Sequence, residues 1–443
     1  MNLFSKTGNP LARRFAANTG WIVAQYVFQY ILSAVIGIIA ARYMGPANYG
    51  ILSYGAALIV MISPFCSLAV NSAMIPCMIE VPEETGKIIG SALVMRLVST
   101  TLSILGLLIY VRLARPGESL LLLVTFLQSL QLFFQVLDCF RLWFQMKLLS
   151  KYPAIASIIG NIACSAWRIF LLARGASVEW FALTSAIQMA ANYLFLIPMF
   201  VRLAGIRIGF SMDAVRRLWA RCGKLILADL TVVISTRIGS VMLSNLLGDA
   251  PLGIYNAAYN IAMMWIFVPQ AFIESANPLL LETNAKNPEA FWPRYQVLFL
   301  TLFGISLAAG AGLTVLAPFI IRILYGSAYA ESASILRIVA WVGVLSTIGS
   351  SRNIWTQAKN KQKYVVYFCI VSAFASIALN YILIRAYGAA GAAVAIVLVN
   401  AVQSLGAPLL FSGSREFVGY WFRSFGQIPG LMRLLKERLS ASR

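Results

Sequence analysis

Residues 143–152 read WFQMKLLSKY and residues 355–364 read WTQAKNKQKY, so the pattern W-x-Q-x-K-x-x-x-K-Y occurs twice, 212 residues apart. Two further pairs have nearly the same offset: residues 45–51 with 248–254, which are 203 apart, and residues 175–176 with 388–389, which are 213 apart. Three matches in the same order at one offset indicate an internal repeat, with two halves of similar structure.

The composition is that of a membrane protein. Hydrophobic residues make up 60% of the chain and charged residues 11%, whereas about a quarter of the residues of a soluble domain are charged. Mean hydropathy is +0.80. No short alternating segments typical of a membrane β-barrel occur. Runs long enough to cross the bilayer recur, and we predict twelve spans, at 18–41, 49–78, 88–111, 119–146, 152–173, 178–201, 223–247, 252–280, 293–317, 332–356, 364–386 and 389–411.

The repeat offset covers six spans, an even number, so corresponding helices run in the same direction through the membrane. We therefore predict an all-α polytopic protein of about twelve transmembrane helices, arranged as two parallel six-helix lobes around a central cavity. The predicted parts are an N-terminal lobe at 1–205, a basic cytoplasmic connector at 206–221, a C-terminal lobe at 222–412 and a basic amphipathic tail at 413–443.

The basic residues predict the orientation, because lysine and arginine favour cytoplasmic loops. One side of the predicted topology carries 23 of them and the other side carries 6. Both termini are therefore predicted to be cytoplasmic in a multi-pass protein. The basic tail is typical of a helix lying on anionic lipid, or of a solvated segment that only sets the orientation.

Several classes of function are disfavoured. The chain has no histidine, its six cysteines show no CxxC spacing, and it has no P-loop, so we predict no metal site and no cofactor. The net charge of +20 follows the topology, so we predict no nucleic-acid partner. Short loops argue against a membrane enzyme. These observations favour a transporter over an enzyme.

Charged residues inside the predicted spans indicate what is transported. Eight of them, five arginines and three carboxylates, are candidate functional residues: Arg96, Arg141, Arg168, Arg237, Arg352, Asp138, Asp229 and Glu274. An arginine facing lipid costs about 2.5–3.5 kcal/mol, so these side chains should face one another or a polar interior. Three carboxylates cannot neutralise five arginines. The interior is therefore predicted to be positive and to suit a phosphate or diphosphate, which arginine binds through paired hydrogen bonds.

We predict that Arg141, Arg237 and Arg352 bind the diphosphate of a substrate, since the repeat places Arg141 and Arg352 at neighbouring positions on corresponding helices. Asp138, Asp229 and Glu274 are predicted to bind a coupling ion or to balance charge. The alternative is that Asp138–Arg141 and Asp229–Arg237 are structural pairs. Trp143 and Trp355 are candidates for stacking on sugar rings, although an interfacial position explains such tryptophans as well.

Three segments resemble one family. Residues 41–50 (ARYMGPANYG), the segment at 143–152 and residues 379–393 (LNYILIRAYGAAGAA) are similar to motifs of Wzx-like polysaccharide or O-antigen flippases. These flippases belong to the multidrug/oligosaccharidyl-lipid/polysaccharide exporter superfamily. Arg385 and Met146 depart from the family pattern.

The resemblance implies a transporter of the bacterial inner membrane that moves undecaprenyl-diphosphate-linked oligosaccharides to the outer leaflet by alternating access. The implied partners are the polyprenyl-diphosphate-linked glycan, the lipid bilayer and other polysaccharide assembly proteins. Two alternatives remain at this stage: a cation-coupled multidrug exporter of the same superfamily, which predicts an acidic cavity, and a membrane enzyme of envelope glycan synthesis.

Overall fold

The computed structural model describes residues 10–426, apart from the side chains of residues 10–34, Lys224 and Phe425. The predicted helix of the tail, from residue 428 onward, lies outside the described residues. All regular structure in the described part is helical. The chain divides into two compact units, Met1–Leu230 and Thr231–Arg443.

The division lies within one long helix, α9. The first unit contains α1 Pro10–Ser67, α2 Val70–Glu80, α3 Thr85–Ala114, α4 Ser119–Gln135, α5 Asp138–Met146, α6 Lys151–Arg174, α7 Val178–Ala182, α8 Thr184–Ala204 and the first part of α9 Met212–Leu247. The second unit contains the rest of α9, α10 Asp249–Met264, α11 Phe267–Lys286, α12 Pro288–Leu324, α13 Ser332–Val339, α14 Val342–Ala358, α15 Lys363–Ala401, a π-helix Val402–Gly406, α16 Ala407–Leu410 and α17 Ser412–Gly426. The predicted boundaries at 205, 221 and 412 stay predictions.

Nine helical segments of the described chain are long and apolar enough to cross a membrane. Two of them, Val35–Glu80 and Lys363–Leu410, are 46 and 48 residues long, about twice what one crossing requires. Gly45 and Gly388 have non-helical backbone angles and divide these segments in two. The pair α10 and α11 covers the predicted span at 252–280. The predicted all-α polytopic fold is thus confirmed.

The internal repeat is visible in the backbone as pairs of residues with positive φ. Gly45 (φ 72°) corresponds to Gly248 (φ 88°), and each is followed within three residues by a proline in the first turn of the next helical segment. A side chain at such angles would be strained, so glycine is required at both elbows. The other pairs are Gly117 with Gly326, Leu148 with Asn360, and Gly175 with Gly388. The Leu148–Asn360 pair lies within the repeated tryptophan motif, at the same offset of 212 residues.

The connector between α8 and α9 packs against the first turns of α3. The amide of Gly209 donates to the carbonyl of Gly86 at 3.2 Å, and Ser91 and Ser211 exchange two hydrogen bonds of 3.0 Å. Close contact requires glycine on α3, because a Cβ added to Gly86 or Gly90 would lie about 2 Å from a connector carbonyl oxygen. The connector is therefore a packed part of the first unit.

The first turns of α9 continue this packing. Ala214, Leu218 and Cys222 are buried in the hydrophobic core of the first unit. Beside these residues on the helix, Arg217 forms an ion pair with Glu84, and Arg221 bonds Glu80 at 2.7 Å. These carboxylates raise the pKa of the Arg217 and Arg221 guanidinium groups above the usual value, so both remain charged at any physiological pH.

Candidate functional site

Two helices of the first unit are interrupted at places where the sequence shows no glycine. The α1–α2 interruption lies at Leu68 and Ala69, which have φ of 50° and 51°. The α4–α5 interruption lies at Val136 and Leu137. Interrupted helices leave backbone carbonyls without their usual partners, and within a membrane these must be satisfied by other groups. Such breaks mark binding sites in many transporters.

Side chains of α3 donate hydrogen bonds to backbone carbonyls at both interruptions. Arg96 is only 1% exposed; its Nη2 donates to the carbonyl of Gln135 at 2.9 Å, and its Nη1 donates to Asn71 Oδ1 at 3.3 Å. Ser99, one turn further along α3, donates to the carbonyl of Phe65 at 2.6 Å. Arg96 thus joins the last turn of α4 to the first turn of α2.

An ion pair lies beside this arginine. Asp138, the first residue of α5, accepts two hydrogen bonds from Arg141, at 2.6 Å from Nε and 2.7 Å from Nη2. It accepts a third from the hydroxyl of Tyr193 on α8, at 2.9 Å. Three hydrogen bonds to a mostly buried carboxylate stabilise its charged form, and a position at a helix N-terminus adds to this. The predicted Asp138–Arg141 pair is therefore present.

The group formed by Arg96, Asp138 and Arg141 has a net positive charge. Arg96 lies within electrostatic range of Asp138, so two guanidinium groups share one carboxylate. The Arg141 side chain is 38% exposed, whereas the Asp138 side chain is 13% exposed. Arg141 therefore combines a fixed orientation, imposed by Asp138, with access to a ligand from outside the protein core.

The second unit has a buried arginine of its own. Arg352 on α14 is 3% exposed, donates through Nη1 to the carbonyl of Gln403, and has its guanidinium 4.4 Å from the centre of the Phe368 ring. Gln403 lies in the π-helix, where the wider turn disrupts the normal hydrogen bonds. No carboxylate pairs with Arg352 among the described residues. Arg352 and Arg96 thus have the same role, since each donates a hydrogen bond to a backbone carbonyl at an irregular helix.

Arg237 lies on the second half of α9 and is partly buried. It is within electrostatic range of Tyr255 and Tyr259 of α10, whose rings are stacked with centroids 5.8 Å apart. It makes no ion pair with a carboxylate in the described part of the chain. Arg237 is therefore a partly buried cation near two tyrosines, with no carboxylate partner among the described residues of its unit.

The two remaining predicted carboxylates are exposed. Asp229 is exposed on α9 and forms no ion pair among the described residues. Glu274 is exposed on α11, where its nearest polar contact is Gln270 Nε2 at 3.4 Å. Their predicted role in coupling or charge balance stays a prediction. Asp138 is the one predicted carboxylate that the structure holds in a polar network.

Both predicted tryptophans are buried. Trp143 is 4% exposed and packs edge-on against Phe144 and Phe200, at centroid distances of 5.0 and 5.2 Å. Trp355 is 0% exposed and packs against Phe417. A sugar ring could therefore stack on either tryptophan only after the hydrophobic core around that tryptophan rearranged. The sugar-stacking role also stays a prediction. Neither indole N–H has a hydrogen-bond partner within the described chain.

The described residues hold no group of three histidine, cysteine or acidic side chains placed to bind a metal ion. All six cysteines are unpaired and buried, which agrees with their interpretation as packing residues. Sequence reasoning missed Tyr193, Gln135 and Gln403. Gln135 and Gln403 contribute backbone carbonyls at irregular helices, and no residue type in the sequence marks such a carbonyl.

A family model described as "Polysaccharide biosynthesis protein" matches residues 15–280, more than half of the chain. The chain belongs to the polysaccharide biosynthesis protein family. A second family model, MatE, matches residues 225–382 of this family member. A comparison with curated proteins found no match.

Solved structures show the fold of this polysaccharide biosynthesis protein. An inward-facing multidrug resistance MATE family transporter of the MOP superfamily has a TM-score of 0.73 and 16% identity, over 90% of this chain and 95% of that one. The lipid II flippase MurJ, in an inward closed conformation, has a TM-score of 0.67 and 16% identity, over 91% and 90%. A MOP superfamily transporter from Pyrococcus furiosus has a TM-score of 0.53 and 16% identity, over 92% and 93%.

The predicted superfamily and the polytopic fold are therefore confirmed. The chain is a multi-pass membrane protein of the polysaccharide biosynthesis protein family, and it shares its fold with transporters of the MOP superfamily.

Proposed function

We propose that this protein is a flippase that moves undecaprenyl-diphosphate-linked oligosaccharide units from the cytoplasmic to the outer leaflet of the bacterial inner membrane, by alternating access. Its termini lie in the cytoplasm, and its product enters the synthesis of cell-surface polysaccharide. Other polysaccharide assembly proteins would be its partners.

The observation that carries this proposal is the sign of the buried charge. Among the described residues, the buried charged side chains are Arg96, Asp138 and Arg352, two cations against one anion. The partly buried cations Arg141 and Arg237 add to this excess. A buried excess of arginine disfavours a cationic substrate and favours one that carries phosphate. Family membership, through the description "Polysaccharide biosynthesis protein", supports a glycan as the rest of the substrate.

Arg141 and Arg237 are the proposed ligands of the diphosphate. Arg141 is oriented by Asp138 and remains accessible, and Arg237 has no carboxylate partner among the described residues of its unit. Arg352 bonds a backbone carbonyl and an aromatic ring in this conformation, so its proposed contact with substrate requires a change at the π-helix. A change of this kind is compatible with alternating access, which moves the parts of a transporter between two states.

A cation-coupled multidrug exporter is the second candidate, because the fold is shared with a multidrug resistance transporter. It requires an acidic binding surface, whereas the buried charged side chains of the described residues are two arginines and one carboxylate, and that carboxylate, Asp138, is paired with Arg141. The flippase therefore agrees better with the observed charges.

The test replaces Arg237 by Gln and by Lys in cells that depend on this gene for surface glycan. The expected result is that Arg237→Gln lowers surface glycan about tenfold or more and accumulates lipid-linked glycan inside, because a charge-assisted bond to the diphosphate is lost. Arg237→Lys retains part of the export, since the charge survives but the paired hydrogen bonds do not. Membrane abundance should stay near that of wild type, because no buried carboxylate loses its partner.

Arg385→Gln is the matched control. Arg385 is exposed on α15 over the ring of Tyr381, so its loss should leave export unchanged. Normal surface glycan in Arg237→Gln cells at normal abundance, together with new sensitivity to cationic drugs, would support the multidrug exporter instead.

A further inference from the structure

Two adjoining cavities lie between the end of α3 and the start of α4 in the first unit. One is an apolar groove of about 430 Å³, lined mainly by Leu108, Ile109, Leu123 and Phe126. The other is a polar pocket of about 270 Å³ around the turn at residues 115–118. They share Arg112, Ser119 and Leu122, so together they form a single site with an apolar end and a polar end.

The polar end is cationic. Arg112, in the last turn of α3, is exposed and pairs with no carboxylate of the described chain. Arg115 is held in place by Glu118, at 3.1 Å, and by the ring of Tyr54, whose centroid is 5.3 Å from the guanidinium. Two arginines against one carboxylate give a net charge of +1. The paired Arg115 shapes the pocket, and Arg112 is the cation available to a ligand.

The ligand must match both ends. An apolar groove on a membrane-spanning helix pair, open along its length, suits an alkyl chain, because each buried CH₂ contributes about 0.8 kcal/mol. A cation at the end of the same groove suits an anionic headgroup. A net charge of +1 matches the single negative charge of a phosphodiester better than the higher charge of a diphosphate.

We infer that this site binds an anionic phospholipid, with one acyl chain in the groove and the phosphodiester on Arg112. The site lies at the end of α3 opposite the connector, a helix of 30 residues or about 45 Å away. In the proposed topology this is the outer leaflet. The inference is independent of the proposed function, since it names a lipid that is bound rather than transported.

The test measures lipid binding to the purified protein by native mass spectrometry. Phosphatidylglycerol and phosphatidylcholine with identical acyl chains are titrated onto wild type, Arg112→Gln and Arg322→Gln. Arg322 is the matched control, because it is a last-turn arginine of α12 and lines neither cavity. We expect wild type and Arg322→Gln to bind phosphatidylglycerol about tenfold more tightly than phosphatidylcholine, and Arg112→Gln to lose most of this preference.

A second pair of variants tests the groove. Leu123→Trp would fill it and should weaken phosphatidylglycerol binding, whereas Leu113→Trp, on an exposed part of α3 outside the groove, should not. Thermal unfolding in detergent checks that all four variants are folded. An unchanged preference in Arg112→Gln, or unchanged binding in Leu123→Trp, overturns the inference. Displacement of phosphatidylglycerol by farnesyl diphosphate at lower concentration would assign the site to a polyprenyl diphosphate instead.

Discussion

Arg96 and Arg352 show how this protein keeps a guanidinium inside the membrane without a dedicated carboxylate. Each donates to a backbone carbonyl that an irregular helix leaves unpaired, Gln135 in one unit and Gln403 in the other. A hydrogen bond from a charged group is stronger than one between neutral groups, about 1.5–3 kcal/mol, so each arginine stabilises a helix distortion that would otherwise be unfavourable. Arg141 differs, because its partner is a carboxylate and its side chain is partly exposed.

The Asp138–Arg141 pair should be replaceable only as a pair. Arg141→Gln removes two hydrogen bonds from a mostly buried carboxylate, and we expect a loss of about 1–3 kcal/mol of stability, less than for a fully buried pair because Arg141 is partly exposed to solvent. Asp138→Asn with Arg141→Gln should recover most of it, since no buried charge is then left without a partner. Thermal unfolding in detergent and membrane abundance measure both effects.

The control is Glu282→Gln, which breaks the exposed Glu282–Lys286 pair and should change stability by less than about 0.5 kcal/mol. Export measured in the stable double variant then decides the role of Arg141. Normal export would show that Arg141 is structural, whereas lost export at normal abundance would support its proposed contact with the diphosphate.

Among the helices, the connector and the first turns of α9 are held against the first unit by close packing and ion pairs. The glycines at 86 and 90 form one face of α3 on which the connector backbone lies, and the ion pairs of Arg217 and Arg221 hold the next three turns. The basic segment predicted as a connector is therefore packed against α3, and Arg217 and Arg221 near its end are paired with carboxylates of the first unit.

Gly90→Ala should test this packing. The added Cβ would lie 2.1 Å from the carbonyl oxygen of Gly209, so the connector must shift, and we expect a loss of about 1–3 kcal/mol in stability. Gly106→Ala is the matched control on the same helix, since a Cβ there meets nothing within 4 Å. That control should keep or raise stability by up to about 1 kcal/mol, because alanine favours helix. Equal melting temperatures for both variants would contradict the packing described.

For the whole molecule, the repeat and the distribution of basic residues together predict one topology. Four backbone elbows of the first unit have counterparts in the second, and the basic residues are distributed unequally between the two predicted sides, 23 against 6. A parallel repeat of six spans requires corresponding loops of the two units to lie on the same side of the membrane.

Reporter fusions test this arrangement. Fusions after residues 85, 150, 212, 287, 360 and 425 should report cytoplasm, and fusions near residues 115, 176 and 327 should report the outside, because basic loops are retained in the cytoplasm. Alkaline phosphatase and green fluorescent protein fusions, read together, give opposite signals at each position. A reversed pattern in one unit alone is incompatible with a parallel repeat.

The sequence by itself determined the membrane class, the all-α fold and the repeat. These properties depend on local chemistry: apolar runs of bilayer length, and elbows such as Gly45 and Gly248 where only glycine is unstrained. The Asp138–Arg141 pair was also predictable, because residues three apart on a helix are neighbours. The exporter superfamily followed from motifs at these same elbows.

Only the tertiary structure decided where the helices break and which charges are accessible. Leu68 and Ala69 adopt left-handed backbone angles, whereas Val136 and Leu137 keep right-handed angles between α4 and α5. At these places side chains of α3 bond the carbonyls of Phe65 and Gln135, and no residue type in the sequence marks either position. Likewise Arg141 and Arg352 are alike in sequence, but one is partly exposed and the other lies under Phe368 on a π-helix. These differences depend on residues distant in the chain, which spacing and composition do not record.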